Sequence, residues 1–168
     1  GTPLMAIGQR LHLIPKRAGL STLPIRLGAP VASTSTSPDV WLFTGCVMDA
    51  WQRSTHRSTA ALIQAAGCTF GVPSKAGACC GALHSHAGLT HEAQTLARSV
   101  MTSMPGTAPI VVDSAGCGAA LKDYGHLLGT SESVAFSKRV FDVHEWLEPH
   151  MNLIIATHMT DGDKIDVV

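Results

Sequence analysis

The chain is 168 residues long, 45% hydrophobic and only 14% charged, so it can bury a core and is not a disordered chain. Its formal net charge of +0 argues against a nucleic-acid binder, which carries a basic excess. No apolar run approaches the ~20 residues that span a bilayer, so no transmembrane segment is expected.

Residues 1–38 read as a connector, rich in Pro, Gly, Ser and Thr and ending in Ser33-Thr34-Ser35-Thr36-Ser37-Pro38. Arg10, Lys16, Arg17 and Arg26 precede the first acidic residue, Asp39, a composition shared with organellar transit peptides. Pro3, Pro15, Pro24 and Pro30 interrupt any long amphipathic helix there, although short helical pieces fit around Gly8–Ile14. Val40–Thr44 is a short apolar run ending at Gly45-Cys46 and is expected to be a buried strand. Trp51, Thr55, Thr59, Leu62, Ile63 and Ala66 then recur at helical spacing over Ala50–Ala66, with Gly67 as the stop.

Cys68–Pro73 reads as a second strand, followed by a loop holding Cys79 and Cys80. A second helix is expected from Thr90, taken as its N-cap, with Leu89, Ala93, Leu96, Ala97, Val100 and Met104 along one face. Pro105-Gly106 closes it. Pro109–Asp113 is a third strand, running into Ser114–Gly118 and a helix through about Leu128. Val140–Val143 is a fourth strand, with a short helix over His144–Met151. Strands buried on both faces and alternating with helices predict an α/β fold, a small, open, mainly parallel sheet with flanking helices.

That pattern places the cysteines. Cys46 and Cys117 each follow the carboxyl end of a predicted strand, and Cys79-Cys80 lies in the loop after another. Ligand sites of open parallel sheets gather beyond those ends, so three segments deliver thiols to one edge. An iron–sulfur cluster needs four thiolates or close substitutes, and Cys46, Cys79, Cys80 and Cys117 supply four. Gly45, Gly77, Gly81, Gly116 and Gly118 would let backbone amides approach the sulfides. Cys68, inside an apolar strand, reads as a small buried hydrophobe.

Two other chemistries stay open. Zinc on Cys79, Cys80, His84 and His86 is one, although structural zinc sites space their cysteines as C-x2–4-C. A nucleophilic Cys117 near a helix N-terminus is the other, with no base assigned to it. Gly116-Cys117-Gly118 is too short for a dinucleotide-binding fingerprint. Five cysteines without a secretory signal favour reduced thiols in the cytoplasm, where such clusters more often mean metal than disulfides.

Phe43-Thr44-Gly45-Cys46-Val47, Cys79-Cys80-Gly81-Ala82-Leu83-His84-Ser85-His86-Ala87-Gly88 and Ser114-Ala115-Gly116-Cys117-Gly118-Ala119 resemble the cysteine-rich CCG domain. That domain is shared by heterodisulfide reductase, the lactate-utilisation iron–sulfur protein and the iron–sulfur subunit of glycolate oxidase. Val47–Arg53, Cys80–His86 and Lys122-Asp123-Tyr124-Gly125-His126 are most similar to the glycolate oxidase subunit. The resemblance implies a CCG domain over 39–151, a connector over 1–38, and a connector with the start of a truncated second repeat over 152–168. Lys164–Val168 would be the first strand of that repeat.

For the site, the resemblance implies a [4Fe–4S] cluster on Cys46, Cys79, Cys80 and Cys117. Gly45, Gly81 and Gly118 would be close-approach backbone, and His84 and His86 supporting or docking residues. The fuller CCG motif ends in C-x-x-C, and Ser114 stands where its first cysteine belongs. Four thiolates could hold a cubane cluster, Ser114 could ligate through oxygen, or the site could be vestigial. The implied partners are a flavin-containing subunit oxidising glycolate to glyoxylate and a further iron–sulfur domain of the full-length chain. The chain itself would pass electrons towards the respiratory chain without turning over substrate alone. It would be cytoplasmic or peripheral at the inner membrane through the complex. The rival readings are a non-catalytic docking module and a subunit of a lactate-oxidising or heterodisulfide reductase-like complex.

Overall fold

The computed structural model describes residues 7, 8, 10, 11 and 28–159. The readings of a second-repeat strand at Lys164–Val168 and of most of the connector lie outside them. Four short strands, β1 (Val40–Phe43), β2 (Phe70–Gly71), β3 (Ile110–Val112) and β4 (Val140–Asp142), pair in the order β2-β1-β3-β4. All three pairings are parallel. Among the described residues no helix is long and apolar enough to cross a membrane.

The strands are unbroken apolar runs because both faces are covered. Phe43, Ile110, Val112 and Val140 point to one face and pack with Ala97, Val100, Leu121, Tyr124 and Phe136. Val40, Leu42, Phe70 and Val111 point to the other, against Ala60, Ile63, Trp146 and Ile154. This is the period-two alternation of a strand expressed as two cores.

Helices supply both layers. On the first face lie α4 (Thr90–Ser103), α5 (Ala115–Lys122), α6 (Tyr124–Leu128) and α7 (Ser131–Ser137). On the second lie α2 (Arg53–Ala65), α8 (Val143–Leu147) and α9 (Met151–Met159). The short α1 (Cys46–Trp51) and α3 (Ala82–His86) follow the cysteines directly. β1 and β3 are neighbours whose following helices go to opposite faces. Their carboxyl ends therefore bound the crevice where open α/β sheets bind ligands.

Several expectations are corrected locally. The helix expected over Ala50–Ala66 is two, broken at Gln52, whose φ of −125° and ψ of 38° are not helical. Arg53 clamps that corner, Nε and Nη2 donating to the two carboxylate oxygens of Asp49 at 3.0 and 2.9 Å. The strand expected over Cys68–Pro73 pairs only at Phe70–Gly71. Leu89, not Thr90, occupies the N-cap of α4, with no side-chain capping bond. The helix expected through Leu128 breaks at Asp123, and α7 has no counterpart among the expected elements. The short helix read over His144–Met151 is α8, then a 3-10 turn over Glu148–His150 into α9.

The Ser/Thr run read as connector covers the outer edge of β2. Thr34 donates its amide to the Phe70 carbonyl and accepts the Phe70 amide on Oγ1, each at 2.8 Å. Ser33 Oγ accepts the Val72 amide at 3.0 Å. An exposed sheet edge is thus blunted by side-chain and backbone bonds.

Candidate metal centre

Two of the three cysteine segments reach the β1/β3 crevice by a turn that a glycine permits. Gly45 links β1 to α1 with φ 63°, in the left-handed region that favours glycine. A Cβ there would lie 3.4 Å from the Cys117 sulfur, so the exit of β1 rests against the cysteine that follows β3. Gly81 caps α3 with φ 79°, and a Cβ on it would meet the Ala93 carbonyl of α4 at 3.2 Å. Only glycine lets the Cys79-Cys80 backbone lie so close to that helix.

The four thiols meet as two pairs. The buried Cys80 donates to the Cys117 sulfur at 3.3 Å, and the exposed Cys46 lies within electrostatic reach of Cys79. Ser114 is the N-cap of α5, and its hydroxyl helps to lower the proton affinity of the Cys117 thiol one turn on. The cysteine-bearing stretches 40–48, 76–91 and 114–121 contain no Asp, Glu, Lys or Arg. They bring no Lys or Arg to neutralise a thiolate, which leaves backbone amides, the histidines of 76–91 and a bound group.

Proton affinities follow from this crowding. Cys117 is brought down to about 7 by the thiol that Cys80 donates to it, and further by the Ser114 hydroxyl. Cys80 is pushed up by giving that bond and by burial. Burial, and then the neighbouring Cys79, push Cys46 up as well. The first thiolate is accessible near neutral pH and the next is disfavoured until something cationic shares the site.

The donor set fits an iron–sulfur cluster. Three segments bring thiols to one crevice, the Cys80 and Cys117 sulfurs lie 3.3 Å apart, and the absent Cβ of Gly45 leaves space beside Cys117. Among the described residues no three His, Cys, Asp or Glu side chains close on one point as a lone metal ion requires. A cluster makes no such demand, since its thiolates are spread over several irons.

A protein-family comparison matches residues 40–122 to the cysteine-rich domain CCG. Residues 40–122 form a CCG domain. Among curated proteins, the chain is 37% identical over 91 residues to a probable glycolate oxidase iron-sulfur subunit of Bacillus subtilis, covering 53% of this chain and 20% of that protein. It is 30% identical over 105 residues to lactate utilization protein A of Anoxybacillus flavithermus, covering 62% of this chain and 44% of that one. The Geobacillus kaustophilus protein of the same description is 30% identical over 102 residues, covering 60% and 42%. The chain thus spans less than half the length of these relatives. No solved structure matches it.

Around the cysteines of the CCG domain the other expected residues separate. Gly118 is buried over Val112, 3.9 Å from where its Cβ would be, and packs helix on strand. His86 is exposed and, with Ser85, Gly116, Asp123 and Leu127, lines a groove of about 330 Å³ beside Cys80. His84 is half-buried; its Nδ1, like Nε1 of Trp51, is buried with no hydrogen-bond partner among the described residues. Cys68 is half-buried on the second core, away from the others.

Sequence reasoning missed three side chains. Tyr124, the one tyrosine of the chain, is fully buried and donates to the Cys80 carbonyl at 2.8 Å, fixing the backbone of the vicinal pair. Burial raises its own pKa. His56 and Asp113 form a buried pair at the same edge of the sheet. A lone tyrosine one helix beyond Cys117 was a usable signal; the His–Asp pair, 57 residues apart, left none.

Proposed function

We propose that the chain is an electron-transfer module of a glycolate-oxidising complex, holding a [4Fe–4S] cluster on Cys46, Cys79, Cys80 and Cys117. The observation that carries this reading is the meeting of thiols from three segments at the β1/β3 crevice, with the Cys80 and Cys117 sulfurs 3.3 Å apart. A bound cluster would accept and release single electrons. The chain's own part is to hold the thiolates, keep the Cys80 backbone fixed through Tyr124, and direct amides at the site through Gly45 and Gly81. Ser114, which lowers the Cys117 pKa, stands close enough to tune that thiolate or to offer an oxygen.

Electrons would arrive from a flavin-containing subunit that oxidises glycolate to glyoxylate. They would leave through a further iron–sulfur domain of the full-length chain towards the respiratory chain. The complex would lie in the cytoplasm or peripherally at the inner membrane, with His84 and His86 beside the docking face. Substrate oxidation belongs to the partner, not to this chain. The 37% identity to the glycolate relative favours glycolate. Lactate is the second reading, favoured by the longer match of 62% of this chain.

Electron paramagnetic resonance on anaerobically loaded, dithionite-reduced protein tests this. A cluster signal that disappears in Cys80→Ser and Cys117→Ser is the expected result. A silent protein containing stoichiometric zinc contradicts it.

A further inference from the structure

Pairing between β1 and β3 ends at the rung Phe43↔Val112. Beyond it the two segments part. One runs through Cys46 and α1 into α2, and the other through Ser114 into α5, which carries Cys117. The residue that follows β3 is Asp113, and it reaches across to α2: His56 Nδ1 lies 2.7 Å from Asp113 Oδ2. Both side chains are 1% exposed.

The pair is incompletely satisfied. Thr59 Oγ1 lies 3.1 Å from the same carboxylate oxygen and 3.1 Å from the Thr55 carbonyl, and its single proton serves one of them at a time. His56 Nε2 and Asp113 Oδ1 are buried with no hydrogen-bond partner among the described residues. Well-packed apolar residues in place of such a pair are often neutral or stabilising, so folding alone does not explain it. Its placement does. It ties the residue that follows β3, four before Cys117, to α2, the helix that follows Cys46 and α1, and so joins the two segments that carry these cysteines.

We propose that His56 and Asp113 are positioning residues that lock α2, the helix beyond Cys46, to the exit of β3 and so hold Cys46 and Cys117 at the separation a shared cluster requires. The proposal rests on the cluster reading above, and its test includes a readout that needs no cluster.

Iron retention in the anaerobically loaded chain is the first readout. His56→Ala is expected to weaken it by roughly 10- to 100-fold, as loss of a group orienting a metal ligand typically does. His56→Asn, whose amide can still donate to Asp113, is expected to recover most of it. The double variant His56→Leu/Asp113→Leu separates positioning from folding: it should unfold at a urea concentration no lower than the parent and still lose iron.

The second readout is taken on cluster-free chain carrying Cys79→Ser and Cys80→Ser. Dibromobimane fluoresces strongly only on bridging two neighbouring thiols, so it reports Cys46 against Cys117. Bridging is expected to fall on adding His56→Leu/Asp113→Leu. A folded double variant that keeps its iron and its bridging overturns the proposal. A parent that takes up no iron, yet whose bridging depends on His56 and Asp113, overturns the proposed function and supports the positioning role.

Discussion

Asp142 joins strand to helix with one carboxylate. Its Oδ1 accepts the His144 amide at 2.9 Å, while Glu145 reaches back to accept the Asp142 amide at 2.8 Å, completing a capping box. The His144 amide holds the Asp142 carboxyl below its ordinary 3.8. A carboxylate whose folded pKa is depressed stabilises fully above the unfolded value, and that contribution is lost as pH falls through the folded one. Asp142→Asn keeps an acceptor at the cap but removes the titration. Urea midpoints measured from pH 7 downwards should therefore fall less steeply in Asp142→Asn than in the parent below about pH 4. Parallel acid limbs would show that the cap titrates no differently in the folded chain.

At the scale of elements, the turns that bring cysteines together are the sensitive points. Gly81→Ala would place a side chain in the left-handed region and a Cβ 3.2 Å from the Ala93 carbonyl, which α4 holds in place. The left-handed conformation alone costs roughly 1–2 kcal/mol in a residue with a Cβ. Urea unfolding of Gly81→Ala should show a loss of at least about that size, and parent-like stability would mean that the turn is not fixed.

The strands were legible because apolar runs buried on both faces are unmistakable, and their carboxyl ends placed Cys46 and Cys117 correctly at one edge. What escaped notice was short-range geometry. α1 and α3 begin directly at Cys46 and after Cys80, where glycine-rich sequence reads as loop. α7 is held by Thr130 and Ser133 in a capping box that follows no strong apolar pattern. The His56–Asp113 pair depends on which helix face meets which strand end, information that no local pattern contains.

For the whole molecule, the order β2-β1-β3-β4 puts the first and third strands side by side with their helices on opposite faces. That topology opens the crevice, and the chain brings thiols to it on stretches without Asp, Glu, Lys or Arg. Residues far from the crevice serve it indirectly, by closing the two cores against which the strands lie. The central claim is that Cys46, Cys79, Cys80 and Cys117 together hold one iron–sulfur cluster. Determination of iron and acid-labile sulfide in the chain purified without oxygen tests it most directly. About four of each per chain is the predicted result, falling towards none when any one of these cysteines is replaced by serine. A chain with neither, or one whose iron is unaffected by Cys46→Ser and Cys117→Ser, would contradict it.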